Sequence, residues 1–355
     1  MIYKYILKPV FFLFNPEHVH DFMTKVGAIL GNFSLTRWVI GLFYGYNGKD
    51  ISKTVDGIKY STPFLLSAGF DYNGHLMNIL PYIGMGGEEV GSITAEPCEG
   101  NSKPRLTRLP KSKSIIVNKG LRNDGVDVII ARLKRGEASR RDLEASPRGR
   151  IGISIARTNC EESCSIEAGI EDYVYSFKRL NEENVGDYYT INISCPNAFG
   201  GEAFTTPELL NRLLFALRKI PCTKPIYVKM PINLLWTEFD ALLKIIDSHG
   251  LNGVVIGNLN KNYEDLEYRD EAPNDYRGGL SGKPCAKLST ELIRKTKQAY
   301  SSRFTIIGVG GVMSPETAME KFEAGADLVQ LITGMIYEGP GLIKRLCMAY
   351  GALCK

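Results

Sequence analysis

Residues 191–197 read INISCPN. The stretch alternates apolar and polar side chains as a half-buried strand does, then ends in Ser194, Cys195, Pro196 and Asn197. A thiol between Ser and Pro is either a small hydrophobe in a turn or a reactive group. An ordinary thiol has a pKa of about 8.5, so activation needs a polar or cationic setting. Asn192 and Asn197 supply donors and acceptors that could fix a polar heterocycle. Beside them Cys195 reads as a general base that takes a carbon-bound proton.

Lys229 sits mid-strand in IYVKMP, so its side chain points either into a sheet core or out toward covering helices. A lysine turned inward needs an anion or another polar partner. The chemistry that suits it is a cation against an electron-rich cofactor edge, such as N1 of a reduced flavin; otherwise it is an edge lysine reaching solvent. GVGG (308–311), followed by a Ser-Pro-Glu helix start, and ITG (332–334), followed by GPGLIKR, have the composition of a phosphate cradle. Glycines such as Gly310 and Gly311 let backbone N–H groups approach an anion, and a helix N-terminus adds its dipole.

Eight short apolar or β-branched runs must position these groups: 62–69, 88–94, 151–157, 188–194, 225–230, 253–258, 304–309 and 327–333. Helical patterns lie between several of them, among them 206–219 and 315–324, the latter with Ser314 as cap and Pro315 first. Alternating strands and helices predict parallel βα units, and eight of them predict an α/β fold of the (β/α)8 TIM-barrel type; the alternative is an open doubly wound sheet. Nearly every run ends in a glycine or a polar side chain: Ala68-Gly69, Ser92 and Thr94, Ser154 and Arg157, Asn192, Lys229, Asn258, GVGG and Thr333-Gly334. On one rim of a barrel they form a ligand site. The long polar connections 98–125 and 259–284 leave from the same rim.

Ahead of the barrel, YILKPVFFLF (5–14) is short and apolar. Asn15-Pro16-Glu17 then starts one helix, and Ser34 is positioned to cap a second. Both helices have wide aromatic faces. They either pack on the main domain or lie as an amphipathic hairpin on a membrane surface, with their lysines and arginine near lipid headgroups. Residues 1–46 read as this hairpin and 47–355 as the barrel, with GYNGKD (45–50) between them. No run of about 18 apolar residues could span a bilayer. With 43 basic and 39 acidic side chains, the charge is too balanced to argue for nucleic acid. The eight cysteines are scattered without a CxxC, so reduced thiols are expected and neither an iron–sulfur centre nor a metal site is. Cys160 and Cys164 could share a helix face. Only four histidines occur, which argues against chemistry built on histidine. No strand–GxGxxG–helix unit for NAD stands out.

Taken in order, NPEHVHDF (15–22), SAGFDYNG (67–74), EVGSIT (89–94), GNSKPRLTRLP (100–110), NDGVD (123–127), INISCPN (191–197), VKMP (228–231), GGLSG (278–282) and IIGVGG (306–311) resemble segments of the dihydroorotate dehydrogenase family. The resemblance covers nearly the whole chain. The N-terminal hairpin is similar to that of the quinone-using class 2 enzymes. Implied are FMN on the strand C-terminal rim, oxidation of (S)-dihydroorotate to orotate in UMP biosynthesis, and a quinone tunnel at the membrane surface. Hydride would leave C6 for the flavin while Cys195 removes the C5 proton. The implied location is peripheral, on the cytoplasmic side of a membrane. FMN contacts carry over onto Ala68, Gly69, Ser92, Ser154, Asn192, Lys229, Gly279, Gly310, Ile332 and Thr333. Substrate contacts carry over onto Asn192, Asn197 and Asn258, and approximately onto Asn118.

Four departures stand out. Cys195, followed by FGGEAF (199–204), is similar to the soluble class 1 enzymes, whereas class 2 enzymes usually place Ser there. The lysine of the family's GFDK segment, a substrate-carboxylate partner, is Tyr72. The segment after Asn118, VNKGLRN, is one residue shorter. Leu259 stands in GNLN where the family has a substrate-facing Thr. Tyr72 and Leu259 keep open another FMN oxidoreductase with a related substrate, while Lys119 and Arg122 are new cations able to replace the lost lysine.

Overall fold

The N-terminal segment is helical almost throughout. A short π-helical stretch, Tyr3–Leu7, runs into α1 (Lys8–Phe12), which is followed by α2 (Pro16–Asn32) and α3 (Ser34–Tyr44). The computed structural model of the protein describes residues 3–141, 149–273 and 277–354. Asn15 caps α2 as its position predicts, its side chain accepting from the N–H groups of Glu17 and His18. Ser34 does not cap α3. It is the first helical residue, and the extended Phe33 occupies the cap position without a side-chain bond. A bend of 111° separates α2 from α3, and no single helix among the described residues is long and apolar enough to cross a membrane.

Two short antiparallel strands follow, β1 (Lys53–Val55) and β2 (Ile58–Tyr60). The barrel begins with β3 (Phe64–Leu66) and β4 (Gly87–Ile93). Outside it lie β5 (Leu106–Leu109) and β6 (Ser114–Val117), and then comes α4 (Val126–Arg141). Strands and helices alternate from there: β7 (Arg150–Ile155), α5 (Ile166–Glu182), β8 (Tyr188–Asn192), α6 (Pro207–Arg218), β9 (Ile226–Met230), α7 (Trp236–Ser248) and β10 (Gly253–Ile256). The chain finishes with β11 (Gly279–Gly282), α8 (Ala286–Tyr300), β12 (Thr305–Val309), α9 (Pro315–Glu323), β13 (Leu328–Leu331), α10 (Thr333–Glu338) and α11 (Gly341–Leu353).

All eight predicted runs become parallel strands of one closed barrel, in the order β3-β4-β7-β8-β9-β10-β12-β13. The open-sheet alternative is thereby ruled out. Strands alternate their side chains between barrel interior and helix layer. At the end where the strands begin, Val55, Ile58 and Tyr60 plug the barrel against Leu65, Tyr188, Tyr227, Val255, Ile307 and Leu328. The outer faces of the strands pack on amphipathic helices such as α6, which buries Leu210, Leu213, Leu214 and Leu217. Ser314 caps α9 as predicted.

The two long polar connections meet over the opposite end. There β5, β6 and β11 form a three-stranded antiparallel sheet. Two other expectations need correction. Cys160 and Cys164 lie in the turns that precede α5, not on a helix face. Arg37 does not reach outward: it is buried, donates to the Gly31 carbonyl at 2.7 Å and lies over the Tyr82 ring.

Candidate active site

The strand register decides which side chains face the barrel mouth. In β8, Tyr189 points outward, its hydroxyl donating to the carbonyls of Leu180 and Val185, so Tyr188, Thr190 and Asn192 point inward. In β9, Tyr227 belongs to the inner cluster, and Lys229 two residues on therefore shares its face. Asn192 and Lys229 are register partners. One layer below, Thr190 Oγ1 and Gln330 Nε2 donate to Glu89 Oε2 at 2.9 and 3.0 Å.

A hydrogen-bonded chain fixes the amide of Asn192. Its Nδ2 donates to Ser92 Oγ at 2.7 Å, which lies 2.7 Å from Ser154 Oγ. Its Oδ1 accepts from the Ser194 hydroxyl at 3.0 Å, and Asn258 Nδ2 donates to Ser194 Oγ at 2.6 Å. Lys229 is 4% exposed and its ammonium lies 3.5 Å from Ser67 Oγ, a long contact for a buried cation. Burial lowers its pKa, opposed by the charges of Glu89 and Cys195.

Cys195 follows in the loop beyond β8 and is half-buried. Burial pushes its thiol up to about 11; the backbone N–H groups of Asn197 and Ala198 and the Lys229 charge work against this, and Glu202 adds to it. The loop is tied to the outer sheet. Asn197 Nδ2 donates to the Val117 carbonyl at 2.8 Å, and Asn101 Nδ2 donates to the carbonyl of Asn197 and to Asn118 Oδ1.

These groups line one cavity of about 170 Å³ at the barrel mouth. It brings together Ala68, Gly69, Ser92, Asn192, Cys195, Asn197, Lys229, Asn258, Ile332 and Thr333 with Tyr72, Leu259, Lys119 and Arg122. An adjoining space shares Ala68, Lys229, Asn258, Leu259, Ser281, Ile332 and Thr333 and adds Gly257, Gly282, Gly310, Gly311 and Gly334. Gly69, at φ +106°, has room on the cavity side: a Cβ there would meet only Ile332 Cδ1, at 3.7 Å. Gly310 (φ +106°) and Gly311 (φ +74°) combine a left-handed backbone with contacts that admit no Cβ. Three residues named from the sequence do not line the space. Ser154 stands behind Ser92. Asn118 is held by Asn101 one step away. Gly279 packs against Leu259, where a Cβ would come 2.5 Å from Leu259 Cβ. Ser67, Ser281 and Gly282 line the space and were missed, although they stand in the SAGFDYNG and GGLSG segments.

The lining of the mouth cavity is electrostatically one-sided. Lys119, Arg122 and Lys229 contribute to it, and no Asp or Glu does among the described residues. Such a cavity favours an anionic ligand.

A second cavity of about 200 Å³ lies under the N-terminal helices, lined by apolar residues such as Phe11, Val19, Met23, Ile79, Leu80 and Ile83, with Arg108 among them. His20, Phe70, Leu106, Ile115 and Ile336 line both cavities. His20 Nε2 donates to the Phe70 carbonyl at 2.8 Å, and its ring lies 5.1 Å from that of Tyr72. The two spaces therefore meet at a thin, mostly apolar partition.

Residues 50–351 match the family model described as dihydroorotate dehydrogenase. The chain is 37% identical over 351 residues to the dihydroorotate dehydrogenase (quinone) of Christiangramia forsetii, covering 97% of each. It is 35% identical over 352 residues to that of Rhizobium meliloti, covering 97% of this chain and 90% of the relative. Among solved structures, it is similar to Eimeria tenella DHODH in complex with ferulenol, with a TM-score of 0.83 at 24% identity over 96% of this chain and 91% of that one. The ligand-free Eimeria tenella DHODH gives 0.78 at 25% identity, over 91% of this chain and 94% of that one.

Proposed function

The chain belongs to the dihydroorotate dehydrogenase family, and from that premise we propose how its two cavities divide the oxidation of (S)-dihydroorotate to orotate by a quinone. The observation that carries the proposal is the mouth cavity built around Cys195, Asn192, Asn197 and Asn258, whose described lining includes three cations and no carboxylate. Dihydroorotate is a planar-ended cyclic amide with a carboxylate. Its amides need oriented donors and acceptors, its carboxylate needs a cation, and its C5–H needs a base.

The residues present fit FMN. The glycine-lined end at Gly257, Gly282, Gly310, Gly311 and Gly334 suits a phosphate, because bare backbone can approach an anion there. Lys229, buried and with a single, long hydrogen-bond contact, to Ser67, among the described residues, suits an electron-rich ring edge. Gly69 leaves free the volume that a side chain would take. When bound, FMN would accept the hydride from C6 and pass the electrons to the quinone. The protein's own groups do the rest. Asn192, Asn197 and Asn258 orient the substrate ring, and the Ser92–Asn192–Ser194–Asn258 chain keeps those amides from rotating. Cys195 Sγ takes the C5 proton as the C5=C6 bond forms.

The apolar cavity under the helices suits the quinone, and Arg108 offers a donor to its carbonyl. The outer surface of the helices suits a membrane. Of the 22 exposed large hydrophobic residues described, 14 lie between Tyr5 and Phe43, including Phe22, Trp38, Leu42 and Phe43. A patch of that density on one hairpin fits a lipid interface, with the enzyme peripheral on the cytoplasmic side.

The test is anaerobic. Purified full-length protein should be yellow, and dihydroorotate should bleach it within a turnover time. A protein that binds no flavin, or a flavin that dihydroorotate leaves oxidised, would contradict the proposal.

A further inference from the structure

One charge cluster, buried at Glu17 and Lys119 and half-exposed at Asp21 and Arg122, joins the N-terminal hairpin to the substrate cavity. Glu17, in the first turn of α2, is 5% exposed and faces three cations. Lys119 Nζ donates to its Oε1 at 3.0 Å, and Arg105 and Arg122 approach the same oxygen at 3.4 and 3.5 Å. Asp21, one turn on, receives Arg122 at 3.1 Å. Three cations against two carboxylates leave one positive charge uncompensated. Burial alone would raise the Glu17 pKa, but the bond from Lys119 and the surrounding positive charges outweigh it and keep the carboxylate ionised. Tyr72, whose ring lies 5.0 Å beneath the Lys119 ammonium, adds no negative charge, because burial holds its hydroxyl protonated.

The surplus charge sits beside the reacting groups. Lys119 is 6% exposed and lines the cavity with Cys195 and Asn197. Its position is coupled to the cysteine loop, since Asn197 Nδ2 holds the carbonyl of Val117 two residues earlier. An ammonium has three donors, and Glu17 takes one. Arg122 is committed differently: its Nη1 is already shared between Glu17 and both oxygens of Asp21.

We propose that Lys119 is the cation that binds the substrate carboxylate and that Glu17 of the hairpin is its positioning residue. The hairpin then completes the substrate site as well as covering the quinone cavity, and substrate preference for an acid over a neutral dihydropyrimidine resides in a contact between the two. This inference rests on the reading of the mouth cavity as the dihydroorotate site.

The experiment uses the full-length, flavin-loaded protein with dihydroorotate, orotate and the neutral analogue dihydrouracil. Lys119→Met, which keeps the bulk of the stem, should raise the KM for dihydroorotate and the Kd for orotate by about 10- to 100-fold, the range for a lost charge-assisted hydrogen bond, with a smaller change in kcat. Binding of dihydrouracil should not change, and Lys119→Arg should recover part of the loss. Glu17→Gln should raise the dihydroorotate KM several-fold alone and add nothing in the Lys119→Met background. A Lys119→Met KM within twofold of the parent's, or equal weakening of orotate and dihydrouracil, overturns the inference while the parent still bleaches with dihydroorotate. A parent that does not bleach overturns the reading of the site itself, and the inference with it.

Discussion

The two cavities share five lining residues and differ in almost everything else. The mouth cavity is built from inward-facing strand ends and collects amides, hydroxyls, a thiol and three cations. The cavity under the helices is built from helix faces and is lined mainly by aliphatic and aromatic side chains. In the proposed division, the first suits a charged, polar ring held in one orientation and the second a flat apolar molecule. The difference teaches how one chain can offer separate sites to a polar acid and an apolar oxidant. His20, Phe70, Leu106, Ile115 and Ile336 stand between the two.

The largest expected effect breaks one side alone. Cys195→Ala should slow flavin reduction by dihydroorotate by roughly 10³-fold, within the range for loss of a general base. Flavin content, and reoxidation of chemically reduced enzyme by quinone, should stay near the parent's. Single-turnover absorbance at the flavin band measures both.

The next effect concerns pH and again belongs to the mouth cavity. Burial pushes the Cys195 thiol up to about 11, and the form that accepts a proton is the thiolate. Below that value the thiolate fraction falls about tenfold per pH unit. The kcat/KM for dihydroorotate should therefore climb by about tenfold for each pH unit between 6 and 9, and quinone reoxidation should not follow it. A flat profile over that range would remove Cys195 from the role of base.

A smaller effect tests the outer face of the hairpin. Trp38 is 60% exposed and Phe43 71%. Trp38→Glu with Phe43→Glu should weaken binding to phospholipid vesicles by roughly tenfold or more, since each side chain gives up on the order of 1.5–3 kcal/mol of apolar burial. Turnover with a short-chain, water-soluble quinone should be unchanged. Sedimentation with vesicles and steady-state assay read the two quantities.

The barrel was legible because each strand carries its own punctuation. β-branched runs ending in glycine or polar residues, and the Ser314-Pro315 helix start, are local signals that tertiary contacts did not override. The three-stranded sheet was not legible, because β11 pairs with β6 across four intervening barrel strands and neither connection marks the other. Much of the site followed from the strand ends, yet the direction of Lys229 became definite only through Tyr227, which places its face in the inner cluster. At Gly279 the structure shows a packing reason for the glycine that the motif alone does not state, the approach of Leu259. The hairpin's arginine was the other misreading: Arg37 satisfies the Gly31 carbonyl at the bend between α2 and α3, a need that no spacing advertises. The contact of Glu17 with Lys119 joins residues far apart in the chain, and only the folded molecule displays it.

The central claim is that each cavity serves one half-reaction, and anaerobic stopped-flow on a pair of variants tests it most directly. Of these two cavities, Cys195 lines the mouth cavity alone and Val19 the apolar one alone. Cys195→Ala should slow flavin reduction by dihydroorotate and spare reoxidation by quinone. Val19→Trp, which fills part of the apolar space, should slow reoxidation by about tenfold or more and leave reduction within twofold of the parent. Equal slowing of both half-reactions by Val19→Trp, in a protein that keeps its flavin, would contradict the division.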